Sequence, residues 1–370
     1  MKNIIVLFGG KSCEREISVL TGVFVLNAID KKEYNAIPLY IDKNGDFYYG
    51  EELKYLETFK SEKFTKNLKK AVFLPNDNTL YINRKNKLKP IAKIACGVNC
   101  CHGGFGEDGS LYAYFDISGI PLTSSSLLAS SIAMDKCATK DFLRGNGVKT
   151  VNSVTVYATT GLENAVFNCV KSLTFPLIVK PAFLGSSVGI CVADNEQSLF
   201  SAIASAFKYG EKVIVEEFLQ NATEINCASV LTGGTVYVSE CEKPITANKI
   251  LSFTDKYETG EREFPAKISK NLSDKIKATT EKVYRLLNAR GIIRIDYLIK
   301  NDKVYLNEIN SVPGSLSYYL LSNSIEDFTA LLTSIIHDTI KEHSRKTTII
   351  SSYESGILNT AYKGTKGSKK

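Results

Sequence analysis

Residues 292–310 read IIRIDYLIKNDKVYLNEIN. Two β-prone runs, Ile292 to Ile299 and Val304 to Ile309, flank the turn residues Asn301 and Asp302, a pattern that predicts a hairpin. Side chains alternate along a strand, so Glu308 and Asn310 share a face, and the paired strand can bring Asp296 onto it. Ile295, Leu306 and Ile309 are expected to bury the opposite face. Two carboxylates and an amide oxygen form a set of hard ligands suited to Mg²⁺ carrying substrate phosphates. A solvated edge of charged residues would present the same residue types.

Working outward, the chain alternates strand and helix. Asn3 to Phe8 reads as a buried strand ending at Gly9-Gly10. Glu16 to Ile29 has helical periodicity, and Tyr34 to Ile41 is a second strand. A Lys-rich stretch over about 43–90 looks irregular. Ile91 to Cys101 is a further apolar strand running into His102-Gly-Gly-Phe-Gly-Glu-Asp-Gly109 and then a helix over 110–117. Strands that end in Gly-rich loops before helices place ligand sites at the strand ends of a parallel sheet. After a Ser-rich segment, 123–131, come a helix over 135–144, strands at 151–157, 175–180 and 212–217, and helices at 162–172 and 196–208. Strands at about 224–232 and 235–243, helices at about 272–289 and 325–343, and an aperiodic tail complete the chain.

The formal net charge of +7 over 370 residues comes with 23% charged residues, an ordinary globular balance. Lysines are interleaved with acids, and no groove-reading motif accompanies them, so a solvated surface is expected rather than a nucleic-acid interface. No apolar run reaches the roughly 20 residues that span a bilayer, and Ile4 to Phe8 is too short for a signal peptide core. No membrane partner and a cytoplasmic location are therefore expected. Nine cysteines are present. Cys96, Cys100, Cys101 and His102 invite a zinc reading, but no second pair lies at finger spacing, and buried reduced thiols are the blander alternative.

Three further groups suit a nucleotide. Lys180 ends the apolar run Pro176-Leu-Ile-Val-Lys180, where a buried ammonium needs an anionic partner. Lys136 opens a helix. Gly185-Ser-Ser-Val-Gly189 is small enough for backbone N–H groups to approach phosphate, with Ser186 and Ser187 hydroxyls to assist. Glu216 and Glu217 end another apolar strand, where an acid can receive adenine or ribose or simply mark an edge. Neither G-x-x-x-x-G-K-[ST] nor G-x-G-x-x-G occurs in the relevant places, so P-loop and dinucleotide readings are disfavoured.

Seven stretches in order resemble the D-alanine–D-alanine ligases of the ATP-grasp superfamily. They are residues 7–18 (LFGGKSCEREIS), 102–109 (HGGFGEDG), 134–136 (MDK), 179–189 (VKPAFLGSSVG), 215–218 (VEEF), 294–296 (RID) and 307–314 (NEINSVPG). The resemblance spans roughly residues 3–320 and implies three α/β or α+β domains. An N-terminal parallel-sheet domain would cover 1–133, and two ATP-grasp subdomains would cover 134–222 and 223–345, followed by a tail at 346–370. By resemblance, Lys136 and Lys180 contact the phosphates of ATP, Glu216 accepts from adenine and Glu224 holds the ribose. Ser186, Ser187, Glu217 and, from a closing loop, Lys256 are counted with them as nucleotide-binding residues. Asp296, Glu308 and Asn310 bind two Mg²⁺, or Mn²⁺ in their place. Glu14 holds the ammonium of the first D-alanine, and His102 lies beside it. Arg294 and the backbone at Gly314 face the oxyanion. Tyr257 joins Ser186 and Glu14 to lock the loop. The resemblance also implies a homodimer and a role in peptidoglycan synthesis.

One position departs. Tyr319, before Leu320, stands where the family carries a Ser that helps bind the second substrate, so a paralogous ligase with another acceptor stays open. Lys256-Tyr257, where ester-forming relatives carry His, points to an amine acceptor. A non-catalytic nucleotide binder on the same scaffold would be expected to have lost a ligand or a lysine, and this chain retains them.

Overall fold

The computed structural model describes residues 1–61, 63–85, 87–245, 261–350 and 352–356. At the N-terminus β1 (Lys2–Gly9), α1 (Arg15–Ala28) and β2 (Tyr34–Ile41) form a βαβ unit in which β1 and β2 pair in parallel. The Lys-rich stretch is more regular than its composition suggests. It holds β3 (Phe47–Tyr49), β4 (Lys69–Leu74), β5 (Asp77–Arg84) and the beginning of β6 (Lys87–Asn99). These strands pair antiparallel in succession, while the end of β6 runs parallel to β1, which closes the six strands into a ring. The parallel sheet expected from the sequence is thus the β2–β1–β6 part of a mixed barrel. The lysines are the solvent side: residues 87–90 of β6 are exposed, and burial begins at Ile94. Cys96, Cys100 and Cys101 are buried thiols, pushed up by burial.

α1 lies so close on β1 that Gly22 has no room for a side chain. A Cβ there would meet Phe8 Cγ at 2.3 Å. After α2 (Ser110–Ile117), the Ser-rich segment leads into α3 (Leu127–Met134) and then α4 (Lys136–Gly145). Asp135 caps α4 by accepting from the backbone N–H groups of Cys137 and Ala138, and it also binds Lys212 Nζ at 2.6 Å.

The middle of the chain is an antiparallel sheet made of β7 (Ser153–Tyr157), β8 (Leu177–Pro181), β9 (Cys191–Ala193) and β10 (Lys212–Glu217), in the order β7-β10-β8-β9. α5 (Leu162–Ser172) and α6 (Glu196–Ala206) bury Ala165, Cys169, Leu199 and Ile203 against it. β11 (Thr223–Thr232), β12 (Thr235–Val238) and a ribbon of β13 (Lys243–Pro244) and β14 (Arg262–Glu263) follow. α7 (Lys270–Leu286) then covers the sheet completed by β15 (Ile292–Lys300) and β16 (Lys303–Asn310), in the order β12-β11-β15-β16.

The predicted hairpin is β15–β16, with Asp296 opposite Glu308 and Arg294 opposite Asn310. Strict alternation would put Leu306 on the face of Glu308. The register shifts after Asp296, so that Tyr297 faces Leu306 and Asn307 is the extra residue. That bulge lets Leu306 enter the core while the acids stay together. Beyond it, a turn at Gly314–Ser317 leads to α8 (Tyr318–Leu321) and α9 (Ile325–Lys346), whose Phe328 and Leu332 return to the core beneath α1. Among the described residues no helix is long and apolar enough to cross a membrane.

Gly22→Ala is expected to lower stability by about 1–3 kcal/mol through overpacking against Phe8. Urea unfolding checks this, and an unchanged midpoint would mean that Phe8 yields freely.

Candidate active site

Two cavities meet between the sheets. The larger, of about 810 Å³, lies between the β7–β10 sheet and the end of β16, with Val151, Ile178, Leu219 and Leu298 as apolar walls. Lys136, Lys180, Ser187, Glu216, Glu217, Glu224 and Glu308 also line it. Its size and mixed lining suit a small organic ligand. The smaller, of about 280 Å³, is bounded by α1, the loop after β6, the hairpin and the ribbon. Gly185, Glu224 and Glu308 belong to both.

At the base of the larger cavity Glu216 is almost completely buried between two lysines. Lys140 Nζ lies 2.6 Å from one carboxylate oxygen and Lys180 Nζ 2.7 Å from the other. Burial alone would raise this carboxyl, but the two ammonium charges hold it down to about 2. Burial lowers the ammonium of Lys140, whereas Lys180, surrounded by Glu216, Glu308 and Glu224, is raised despite its burial. Lys180 Nζ also donates to Asn307 Oδ1 at 3.2 Å, so the bulge residue links this base to the hairpin. Lys136 Nζ donates to Leu184 O at 2.5 Å, under the Gly-Ser loop. In that loop Ser186 and Ser187 are left-handed, with φ of 53° and 59°.

Glu216, expected to receive adenine, pairs each of its oxygens with a lysine, and as a carboxylate it keeps further lone pairs on the cavity that it lines. Glu217, expected beside it, accepts from Asn152 Nδ2 at 3.1 Å and from Thr174 N at 3.3 Å, tying strand ends together. Lys140 was not legible as a site residue, although it lies one helical turn from Lys136 on the same face of α4.

In the smaller cavity Ser186 Oγ donates to Glu14 Oε1. His102 is buried and uses both ring nitrogens: Nδ1 lies 2.7 Å from Val312 O and Nε2 2.8 Å from Thr21 Oγ1. A carbonyl can only accept, so Nδ1 carries the proton and Nε2 accepts from the threonine. Burial lowers this imidazole, in keeping with the neutral form. Thr21 Oγ1 in turn accepts from Ser315 N at 3.0 Å. His102 thus lines the same cavity as Glu14 and acts as a brace between α1, the β6 loop and the turn after Val312. Glu107 takes part in the same brace, accepting from Gly103 N at 2.7 Å and Val312 N at 3.0 Å. Burial and the nearby Glu14 push its carboxyl up to about 8.

The hairpin brings Asp296, Glu308 and Asn310 together. Asp296 is buried and receives Arg294 bidentately, Nε at 2.7 Å and Nη2 at 2.9 Å, with Asn310 Nδ2 at 3.1 Å. Glu308 and Asn310 open into the smaller cavity, with Gly314 and Tyr319 further along its wall. Glu308 and Asn310 border the cavity and Asp296 lies opposite Glu308 in the hairpin, so two carboxylates and an amide oxygen fit a hard divalent cation. Leu320 is buried and does not line the cavity. Arg262 sits over Tyr319, its guanidinium carbon 4.3 Å from the ring centroid. Lys256 and Tyr257 lie outside the described residues.

Two family models match, "D-ala D-ala ligase N-terminus" over residues 3–125 and "D-ala D-ala ligase C-terminus" over residues 142–341. The chain belongs to the D-alanine–D-alanine ligase family. A D-alanine–D-alanine ligase of Thermosipho melanesiensis is 38% identical to it over 91% of this chain and 93% of its own. One from Thermosipho africanus is 34% identical over 97% and 99%. Among solved structures, the Helicobacter pylori D-alanine–D-alanine ligase superposes with a TM-score of 0.76 at 31% identity, covering 91% and 98% of the two chains. The VanG D-Ala:D-Ser ligase of Enterococcus faecalis gives 0.78 at 27% identity, covering 90% and 99%. The protein is an ATP-dependent ligase of ATP-grasp architecture.

For this ligase the Glu216 charge is coupled to the fold. Its carboxyl is depressed in the folded state, so its contribution is complete above the unfolded value near 4.3 and is lost as pH falls toward 2. Glu216→Gln is expected to remove about 3 kcal/mol of the stability lost between pH 4.5 and 2. Lys140→Met, which leaves the carboxylate half-paired, is expected to cost about 3–5 kcal/mol at pH 7. Urea titrations across pH check both, and an acid limb unchanged in Glu216→Gln would refute the assignment.

Proposed function

We propose that this ligase forms D-alanyl-D-alanine from two D-alanine molecules and ATP through a D-alanyl phosphate, supplying peptidoglycan synthesis. The observation that carries the reading is the meeting of the two cavities at Gly185, Glu224 and Glu308. There a donor held in one cavity and an amino acid held in the other share a face of oxygen ligands.

Glu14, fixed by Ser186, receives the ammonium of the first D-alanine and turns its carboxylate toward the junction. That carboxylate attacks the γ-phosphorus, the bond to the β-phosphate oxygen breaks, and ADP leaves. Lys136 and Lys180 offset charge spreading over the phosphoryl oxygens. Two Mg²⁺ (or Mn²⁺) held by Asp296, Glu308 and Asn310 would supply further neutralisation when bound. The acyl phosphate then meets the amine of the second amino acid. The C–N bond forms, phosphate departs, and Arg294 with the Gly314 backbone stabilises the tetrahedral oxyanion. Positioning and preorganised charge do most of the work, so no protein nucleophile is required. Ser187 and Glu224 are assigned to the nucleotide phosphates and ribose. Glu216 is assigned to holding Lys180 in place. Residues 1–133 are assigned to the amino-acid side, 134–222 and 223–345 to the nucleotide and metal side. A cytoplasmic homodimer completes the proposal.

Tyr319 favours a second reading, in which the acceptor is another amino acid. The similarity to a ligase named for D-serine supports acceptor variation on this fold. With ATP, Mg²⁺ and D-alanine, a product of dipeptide mass is expected; no turnover with D-alanine alone would overturn the main reading. Asp296→Asn keeps an acceptor for Arg294, so it should stay folded while turnover falls by roughly 10³-fold or more. Wild-type activity in that folded variant would refute the metal assignment.

A further inference from the structure

We propose that Arg262, seated on the ring of Tyr319, is the group that captures the carboxylate of the acceptor amino acid, an inference that rests on the ligase reading above.

The smaller cavity is strongly acidic. Glu14, Glu107, Glu224, Glu242, Glu261 and Glu308 all line it, and its only guanidinium groups among the described residues are Arg294 and Arg262. An acceptor amino acid brings a carboxylate into this field. Held without a cation, that charge would be strongly disfavoured. Arg294 directs Nε and Nη2 at the two oxygens of Asp296, so its fork is already filled by a carboxylate. Arg262 is placed differently. Its guanidinium carbon lies over the Tyr319 ring, 4.3 Å from the centroid, and its Nε lies 3.7 Å from Glu242 Oε1, beyond hydrogen-bond distance. Its side chain is 42% exposed, and its terminal nitrogens make no hydrogen bond to the described residues.

A planar guanidinium held over an aromatic ring, with its terminal nitrogens not hydrogen-bonded to the described residues, is matched to a carboxylate, which it binds through two parallel N–H donors. The placement is built rather than incidental. Arg262 is fixed by the β13–β14 ribbon, where it pairs with Pro244, and Ile245 N donates to Glu261 O at 2.9 Å. Glu242 is buried and accepts from Asn226 Nδ2 at 3.3 Å, so it draws the guanidinium toward the cavity without occupying its fork. Tyr319 is then a platform: its ring holds the cation by a cation–π contact, and its bulk narrows the acceptor end. Arg262 is a specificity determinant, and Glu242 and Tyr319 are positioning residues.

The test is a competition at the acceptor position. D-Alaninamide has an amine but no carboxylate, so it can accept an alanyl group and cannot donate one. Full-length ligase is given ATP, Mg²⁺, D-alanine and D-alaninamide, and the dipeptide and dipeptide amide are separated by mass. The wild type is expected to favour D-alanine strongly. Arg262→Gln should lower that preference at least tenfold, through a raised KM for the acceptor D-alanine, with KM for ATP unchanged. Arg262→Lys, which keeps charge but loses the fork, should fall between them. Tyr319→Leu should reduce the preference less than Arg262→Gln. An unchanged preference in Arg262→Gln, even with slower turnover, overturns the proposal. Formation of neither product by the wild type overturns the ligase reading itself, a different result from a lost preference.

Discussion

One carboxylate, Glu216, is the constraint around which the nucleotide side is arranged. It ends β10, and it neutralises an ammonium from α4 and another from β8 at 2.6 and 2.7 Å. Its charge offsets the cost of burying both ammonium groups. Lys180 then reaches Asn307, the extra residue of the β16 bulge. The same bulge keeps Glu308 beside Asp296 while Leu306 turns into the core. A single buried charge therefore fixes Lys180, the sheet that carries it and its spacing from the acidic face of the hairpin. Such a pair is weak as a source of net stability but strong as a fixer of position, because any rearrangement strands a charge.

The amino-acid side is held by a different device, a chain of neutral hydrogen bonds around strained backbone. Ser315, Leu316 and Ser317 all have φ of 48°, three consecutive left-handed residues without a glycine. Each costs about 1–2 kcal/mol relative to the right-handed form. The turn is retained because Ser315 N is bound by Thr21, which is bound by His102, which is bound by Val312. Ser186 and Ser187 are also left-handed, and Ser186 ties their Gly-Ser loop to Glu14. Strain concentrated at the two loops that would touch substrate is the pattern expected where geometry has been set by function.

Much of this was legible in the sequence, for physical reasons that differ by region. The β15–β16 hairpin announced itself through β-branched runs around Asn301 and Asp302, and its acids declared a shared face by simple alternation. α5 and α2 had periodicity strong enough to give their limits. The ring-closing strands β3 to β5 were hidden because one side faces water, so lysines and turn residues dominate their composition. Lys140 was hidden because a lysine in a helix reads as surface, and nothing local shows that a glutamate 76 residues later in sequence will be buried beside it. Glu216 reads as a site residue, but its two lysine partners are not legible, since a strand-end acid shows its charge and not which charges surround it. His102 and Glu107 lay inside a recognised motif, yet their bracing role depends on Val312, about 200 residues away.

The acceptor end shows the limit of such reading most clearly. Phosphoryl transfer needs lysines, oxygen ligands and a small-residue loop in a fixed arrangement, and each of these leaves a short motif. An acceptor carboxylate needs only one well-placed cation, which any segment that reaches the cavity can supply. Here that segment is a two-residue strand, Arg262–Glu263, joined to Lys243–Pro244. In sequence Arg262 is one basic residue among many in a polar stretch, and Tyr319 is a substitution with no stated purpose. Only the placement of one over the other, in a cavity lined by six glutamates, gives both a role. The acidity that makes the cavity suitable for ammonium groups and divalent cations is what makes a dedicated guanidinium necessary. An acceptor without that cation would have to carry its carboxylate past Glu242 and Glu308 unpaired, so the charge that serves the first half-reaction sets the specificity of the second.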